Sequence, residues 1–87
     1  MATQTKPSLA KYQHLEYRAG WRQQPYIKGT NRWVGGVVPW MLANKMTPGE
    51  VAEDIGIPEE AVYECLRYFD RHRDIIEGDA QAERDSA

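Results

Sequence analysis

The chain holds one cysteine, Cys65, so no disulfide can form within it and no cysteine cluster can hold a metal. A reducing compartment agrees with that. No apolar run approaches the roughly 20 residues a membrane span requires, and the opening MATQTKPSLAKYQ lacks the apolar core of about 7–15 residues that marks a secretory signal. A cytoplasmic protein is expected. Acidic residues are scarce in the first half: up to Lys45 there is only Glu16, against Lys6, Lys11, Arg18, Arg22, Lys28, Arg32 and Lys45, a local charge of +6. Residues 46–87 reverse this, with four arginines against twelve acids, a local charge of −8. The net charge of −2 therefore hides two opposed fields. Such a division suits a polyanion on one side and a different partner on the other, or attraction between the halves within a dimer.

Catalytic constellations are absent too. His14 and His72 lie far apart in the chain and have no cysteine or aspartate at ligand spacing, so each reads as an ordinary polar residue. Cys65 falls on the apolar stripe of a helix and reads as core. No catalytic residue, metal or cofactor is assigned, and a non-enzymatic protein is expected.

What is present is a globular balance, 41% apolar and 28% charged residues. Eighty-seven residues make one domain with a thin core, so a partner subunit, in the simplest case a homodimer, is expected. Residues 1–10 have no periodicity and read as a mobile arm. Leu15 and Tyr17 alternate with His14 and Glu16, which predicts a short half-buried strand around 12–17. In PYIKGTNRWV (residues 25–34), two strand-compatible pieces flank Gly29-Thr30. A two-residue turn with glycine first predicts a hairpin in which Lys28 faces Asn31, Ile27 faces Arg32 and Tyr26 faces Trp33. Its tip would be polar and cationic. The spacing of a phosphate-binding loop is missing.

Val34, Val37, Val38, Met41 and Leu42 share a helical stripe; Pro39 is tolerable only in a first turn, which places that helix over about 36–44. Thr47-Pro48-Gly49-Glu50 is a capping box with proline at the first helical position, and Gly56 suits a left-handed terminator. Pro58 can open the next helix, whose stripe is Val62, Cys65, Leu66 and Phe69 and which runs to about His72. Asp74-Ile75-Ile76 extends or follows it, and residues 77–87 read as a polar tail. A short capped helix, a glycine turn and a longer helix match the helix-turn-helix pattern. The predicted fold is mainly α: a three-helix, homeodomain-like helix-turn-helix core (36–72) after a β element (12–34), within one domain spanning 11–76.

For DNA, the third helix is a mixed candidate. Tyr63, Arg67 and Arg71 suit contact, whereas Glu59, Glu60 and Glu64 oppose phosphate; a solvated face in which Glu64 pairs with Arg67 is the plain alternative. The hairpin residues Lys28, Thr30, Asn31 and Arg32, helped by Arg18 and Arg22, could supply the missing phosphate contacts. Trp21, Trp33, Trp40, Tyr12, Tyr17 and Tyr26 crowd the N-terminal half and read first as core and interface, with base stacking as the lesser alternative.

Gly29-Thr30, the apolar helix after Val34, Thr47-Pro48-Gly49-Glu50-Val51 and a helix ending near Tyr68 resemble the small prokaryotic domain of unknown function family 433. Its members show a P-x-I-x-G-T-R stretch and an S-P-E-E-I-like helix start, and the resemblance covers about residues 25–72. Asn31 stands where the family usually has arginine, Trp33 where it has a small residue or proline, and Asn44-Lys45 where it has glycine. The resemblance implies a helix-turn-helix domain, often dimeric. It further implies an antitoxin that binds operator DNA and a PIN-like ribonuclease toxin, the acidic half with Glu59, Glu60 and Glu64 facing the toxin. A protein-interaction module that has lost DNA binding is the alternative reading.

Overall fold

The computed structural model describes residues 6–86. Strands β1 (Leu15–Glu16) and β2 (Tyr26–Ile27) pair antiparallel, with Leu15 opposite Ile27 and Glu16 opposite Tyr26. Four helices follow: α1 (Val34–Ala43), α2 (Pro48–Ile55), α3 (Glu59–Arg71) and α4 (Arg73–Ser86). The described residues are thus mainly helical with one small two-stranded sheet, and among them there is one helix more than the three expected. Met1–Thr5, half of the expected mobile arm, lie outside the described residues, as does Ala87. Residues 6–10 are tied in: the Pro7 carbonyl accepts from the Tyr17 hydroxyl at 2.6 Å, and Leu9 packs against the core.

Helix α1 starts earlier than its proline suggested. Trp33 precedes it in extended backbone, the Trp33 carbonyl accepts from Gly36 and Val37, and the buried Gln24 side chain accepts the Gly35 N–H. A side chain from another segment supplies the cap, so Pro39 ends up in the second turn. Val34, Val37, Val38 and Met41 are buried as the stripe requires, but Leu42 is 61% exposed.

Helix α2 follows its local signals. Glu50 N–H donates to Thr47 Oγ1 at 3.1 Å, Thr47 N–H donates to the Glu50 carboxylate at 2.8 Å, and Gly56 terminates the helix at φ +83°. Three residues later α3 begins, and α3 packs on both α2 and α1.

Helix α3 buries Ala61, Val62, Glu64, Cys65 and Tyr68, while Leu66 and Phe69 are only half-buried. Its inner face is rotated from the expected stripe because the N-terminal segment packs on the side that carries Glu64 and Tyr68. Tyr12 sets its ring edge-on to Tyr68 at 5.8 Å, and the Tyr68 hydroxyl donates to Tyr17, which in turn donates to Pro7. Burial pushes both phenols above their usual range; the Tyr68 hydrogen bond works against this at Tyr17, and the Tyr17 contact adds to it at Tyr68.

Helix α4 replaces the polar tail. Ile76 is buried, and the buried Asp79 carboxylate accepts from the backbone N–H groups of Gln23 and Gln24 and from Gln24 Nε2, all at 3.0–3.1 Å. Three donors compensate a carboxylate that burial alone would disfavour. The same Gln24 reaches on to Gly35, so Asp79, Gln24 and Gly35 join α4, the pre-strand loop and α1 in one chain of hydrogen bonds.

Candidate nucleic-acid interface

The segment after β2 turns one residue earlier than expected and in a wider loop. The Thr30 N–H donates to the Ile27 carbonyl at 3.1 Å, which closes a turn over Ile27–Thr30 with Gly29 third, at φ +78°. Only glycine takes that corner readily. Ile27 N–H donates to the Arg32 carbonyl at 2.8 Å and Tyr26 bridges Trp33, so those two facing pairs stand. Lys28 and Asn31 do not pair; they belong to the four-residue loop. Thr30 is a brace, its hydroxyl donating to the Ile27 carbonyl at 2.9 Å and accepting from Arg32 N–H at 3.0 Å.

Lys28, Asn31 and Arg32 are exposed, and neither cation has an ion-pair partner among the described residues. Arg32 lies 5.9 Å from the Trp40 ring. Asn31 and Arg32, with Thr30, Trp33, Val37 and Ile55, edge a groove of about 610 Å³ between the loop, α1 and the end of α2.

Two arginines expected to assist are engaged inside the fold. Arg22 stacks 3.6 Å from the Trp33 ring centre, also covers Trp21, and bonds Tyr26 and Glu83. Arg18 pairs with Glu16 at 2.9 Å and lies over Tyr26. A planar guanidinium suits such stacking. The N-terminal aromatics are largely consumed in this lattice, although Trp21 remains 51% exposed.

On α3, Tyr63, Arg67 and Arg71 are exposed along one ridge, as their spacing of four requires. Arg67 lies over the Tyr12 ring, and with Arg71 it borders a smaller pocket against the N-terminal segment. The hairpin set and the α3 set therefore line different grooves.

The three glutamates part company. Glu59 and Glu60 are exposed in the first turn of α3, where carboxylates offset the helix dipole, and Glu59 accepts from the Tyr63 hydroxyl at 3.3 Å. Glu64 is 4% exposed and does not pair with Arg67: its carboxylate accepts from His14 N–H at 2.8 Å and sits 2.6 Å from His14 Nδ1. It is therefore withdrawn as a partner-facing residue. Burial would raise its pKa, yet the His14 and Gln13 hydrogen bonds outweigh burial and hold it below the usual value. An ionised carboxylate only accepts, so Nδ1 carries the proton in this contact. Nothing in the local sequence marks the pair, whose members are 50 positions apart. Cys65 is fully buried, and burial, then the Glu64 charge, push its thiol up to about 12, an inert core group.

With this geometry in place, comparison with known proteins gives one match. Residues 22–69, more than half of the chain, match the family described as Protein of unknown function (DUF433). The chain belongs to this family. Its matched stretch opens at the stacked Arg22 and closes at Phe69, so it includes the loop, α1, α2 and most of α3 and leaves out β1 and α4. No curated protein and no solved structure matches the chain. No helix among the described residues is long and apolar enough to cross a membrane.

Proposed function

We propose that this DUF433 member is a non-enzymatic, antitoxin-like regulator that binds operator DNA as a homodimer and also binds a protein, a PIN-like ribonuclease toxin. The observation that carries the DNA half is that Lys28, Arg32, Arg67 and Arg71 stay exposed without ion-pair partners among the described residues, on a chain whose other cations at Arg18 and Arg22 are internally bound. Four solvated cations cost little to dock on phosphate and release counterions when they do. The α2–turn–α3 arrangement supports a helix-turn-helix reading, with Tyr63 and Arg67 facing outward. Withdrawal of Glu64 from the surface removes one of three carboxylates that would repel the duplex. Toxin binding rests on the family resemblance and on the acidic half, with Glu59 and Glu60 exposed in the first turn of α3.

A gel shift with the DNA upstream of the gene, at about 50 and 200 mM salt, tests the reading. Retardation at low salt that weakens steeply at high salt is expected. No retardation of any fragment at low salt defeats it. A second reading, an interaction module of the same fold without DNA binding, is favoured by one observation: Glu59 and Glu60 stand at the start of α3, where base contacts would be made. A Lys28→Glu, Arg32→Glu double variant that keeps both its cellular phenotype and its partner binding selects that second reading.

A further inference from the structure

A second cluster of exposed cations lies away from the hairpin, where the N-terminal segment crosses the C-terminal half of α3. A pocket of about 270 Å³ there is bordered by Ser8, Lys11, Tyr12, Arg67, Arg71 and His72 among others, and none of its lining residues is acidic. Lys11, Arg67 and Arg71 are all exposed and have no ion-pair partner among the described residues. Ser8 Oγ accepts from Ala10 N–H at 3.1 Å and keeps its own proton for a ligand. We infer that this pocket binds a phosphate group, with Lys11, Arg67 and Arg71 supplying the charge and Ser8 a hydrogen bond.

The surroundings explain how a lysine 56 positions before Arg67 is held beside it. His14 is fastened to the buried Glu64 by two contacts, Tyr12 lies against Tyr68, and Arg67 covers the outer side of the Tyr12 ring at 5.5 Å. These contacts seat residues 8–14 along α3, so the cationic pocket exists before any ligand arrives. Two guanidinium forks and an ammonium suit a tetrahedral oxyanion of high charge. Sequence reading could assign Arg67 and Arg71 only to a helix face; Lys11 enters through the packing.

On the DNA reading above, the phosphate belongs to a nucleic-acid backbone; the alternative source of the same chemistry is free phosphate. The test uses the full-length, isotope-labelled chain and two probes, a short DNA duplex and inorganic phosphate, followed by amide chemical shifts and by affinity at several salt concentrations. With duplex, shifts at Ser8–Tyr12 and Arg67–His72 are expected. Lys11→Gln and Arg71→Gln should each weaken binding several-fold and flatten the plot of log affinity against log salt by about 1. Arg84→Gln, an equal charge change at the end of α4, should do neither. If the wild type binds duplex but these amides stay unmoved and both variants match it, the pocket proposal is overturned while DNA binding through the hairpin stands. If the wild type binds no duplex, the DNA reading fails and the phosphate arm decides. Saturable shifts at the same amides, lost in the Lys11→Gln, Arg71→Gln double variant, then uphold the pocket; their absence overturns it.

Discussion

A buried carboxylate keeps its charge only while its donors are in place, and at Glu64 those donors come from His14 and Gln13. Its pKa in the folded state lies below the ordinary 4.5. The stabilisation it contributes is therefore fully present above that value and is lost as pH falls through the lower folded-state value. Glu64→Gln should destabilise the protein by about 1.5–3 kcal/mol at neutral pH, in line with hydrogen bonds to charged groups. In urea titrations the gap between wild type and variant should narrow as pH drops below 4.5; a gap independent of pH would show that the charge contributes nothing. Lys45 offers an opposite case. It sits at φ +54°, a left-handed conformation that glycine adopts without strain. A side chain there costs about 1 kcal/mol or more, partly offset in a glycine variant by the freer unfolded chain. Lys45→Gly should thus leave stability equal or raise it by up to about 1 kcal/mol, read as a thermal midpoint up by as much as about 4–8 °C.

At the scale of elements, α4 and the start of α1 share one hydrogen-bonded chain through Asp79, Gln24 and Gly35. A Cβ placed on Gly35 would lie 2.6 Å from Gln24 Oε1 and 3.0 Å from Ile76, so Gly35→Ala should cost about 1–3 kcal/mol by overpacking. Gly78, within α4, has open space around its Cβ position. Gly78→Ala should raise stability by up to about 1 kcal/mol, whereas Gly78→Pro should lower it by about 3 kcal/mol and reduce the helical circular dichroism signal. Equal melting curves for all three Gly78 forms would mean that residues 77–86 behave as the polar tail their composition suggests. That composition hides the helix because only Ile76 and Asp79 face inward, and one is a carboxylate.

For the whole molecule, the charge division becomes a surface property only after the internal pairs are removed. Arg18 and Arg22 drop out, and Lys28 and Arg32 remain. Reversing both to glutamate should abolish the salt-sensitive gel shift while leaving the thermal midpoint close to wild type, since neither holds another element in place. A midpoint that falls with the DNA affinity would assign them a structural role. The family match covers the loop, α1, α2 and most of α3 but leaves out β1 and α4. The parts of the chain outside it are the parts that clamp α3 and complete the second cationic pocket.

The amino-acid sequence by itself determined α2, its capping box and its Gly56 terminator, the Tyr26–Trp33 register and the family. These features depend on residues within a few positions of one another, and their donors and acceptors meet whatever the rest of the chain does. The tertiary structure alone decided which face of α3 turns inward, that α4 exists, and which cations remain free for a ligand. The Glu64–His14 and Asp79–Gln24 contacts join residues 50 and 55 positions apart. A buried carboxylate and an exposed one are spelled alike, and the difference lies in donors that only folding brings near.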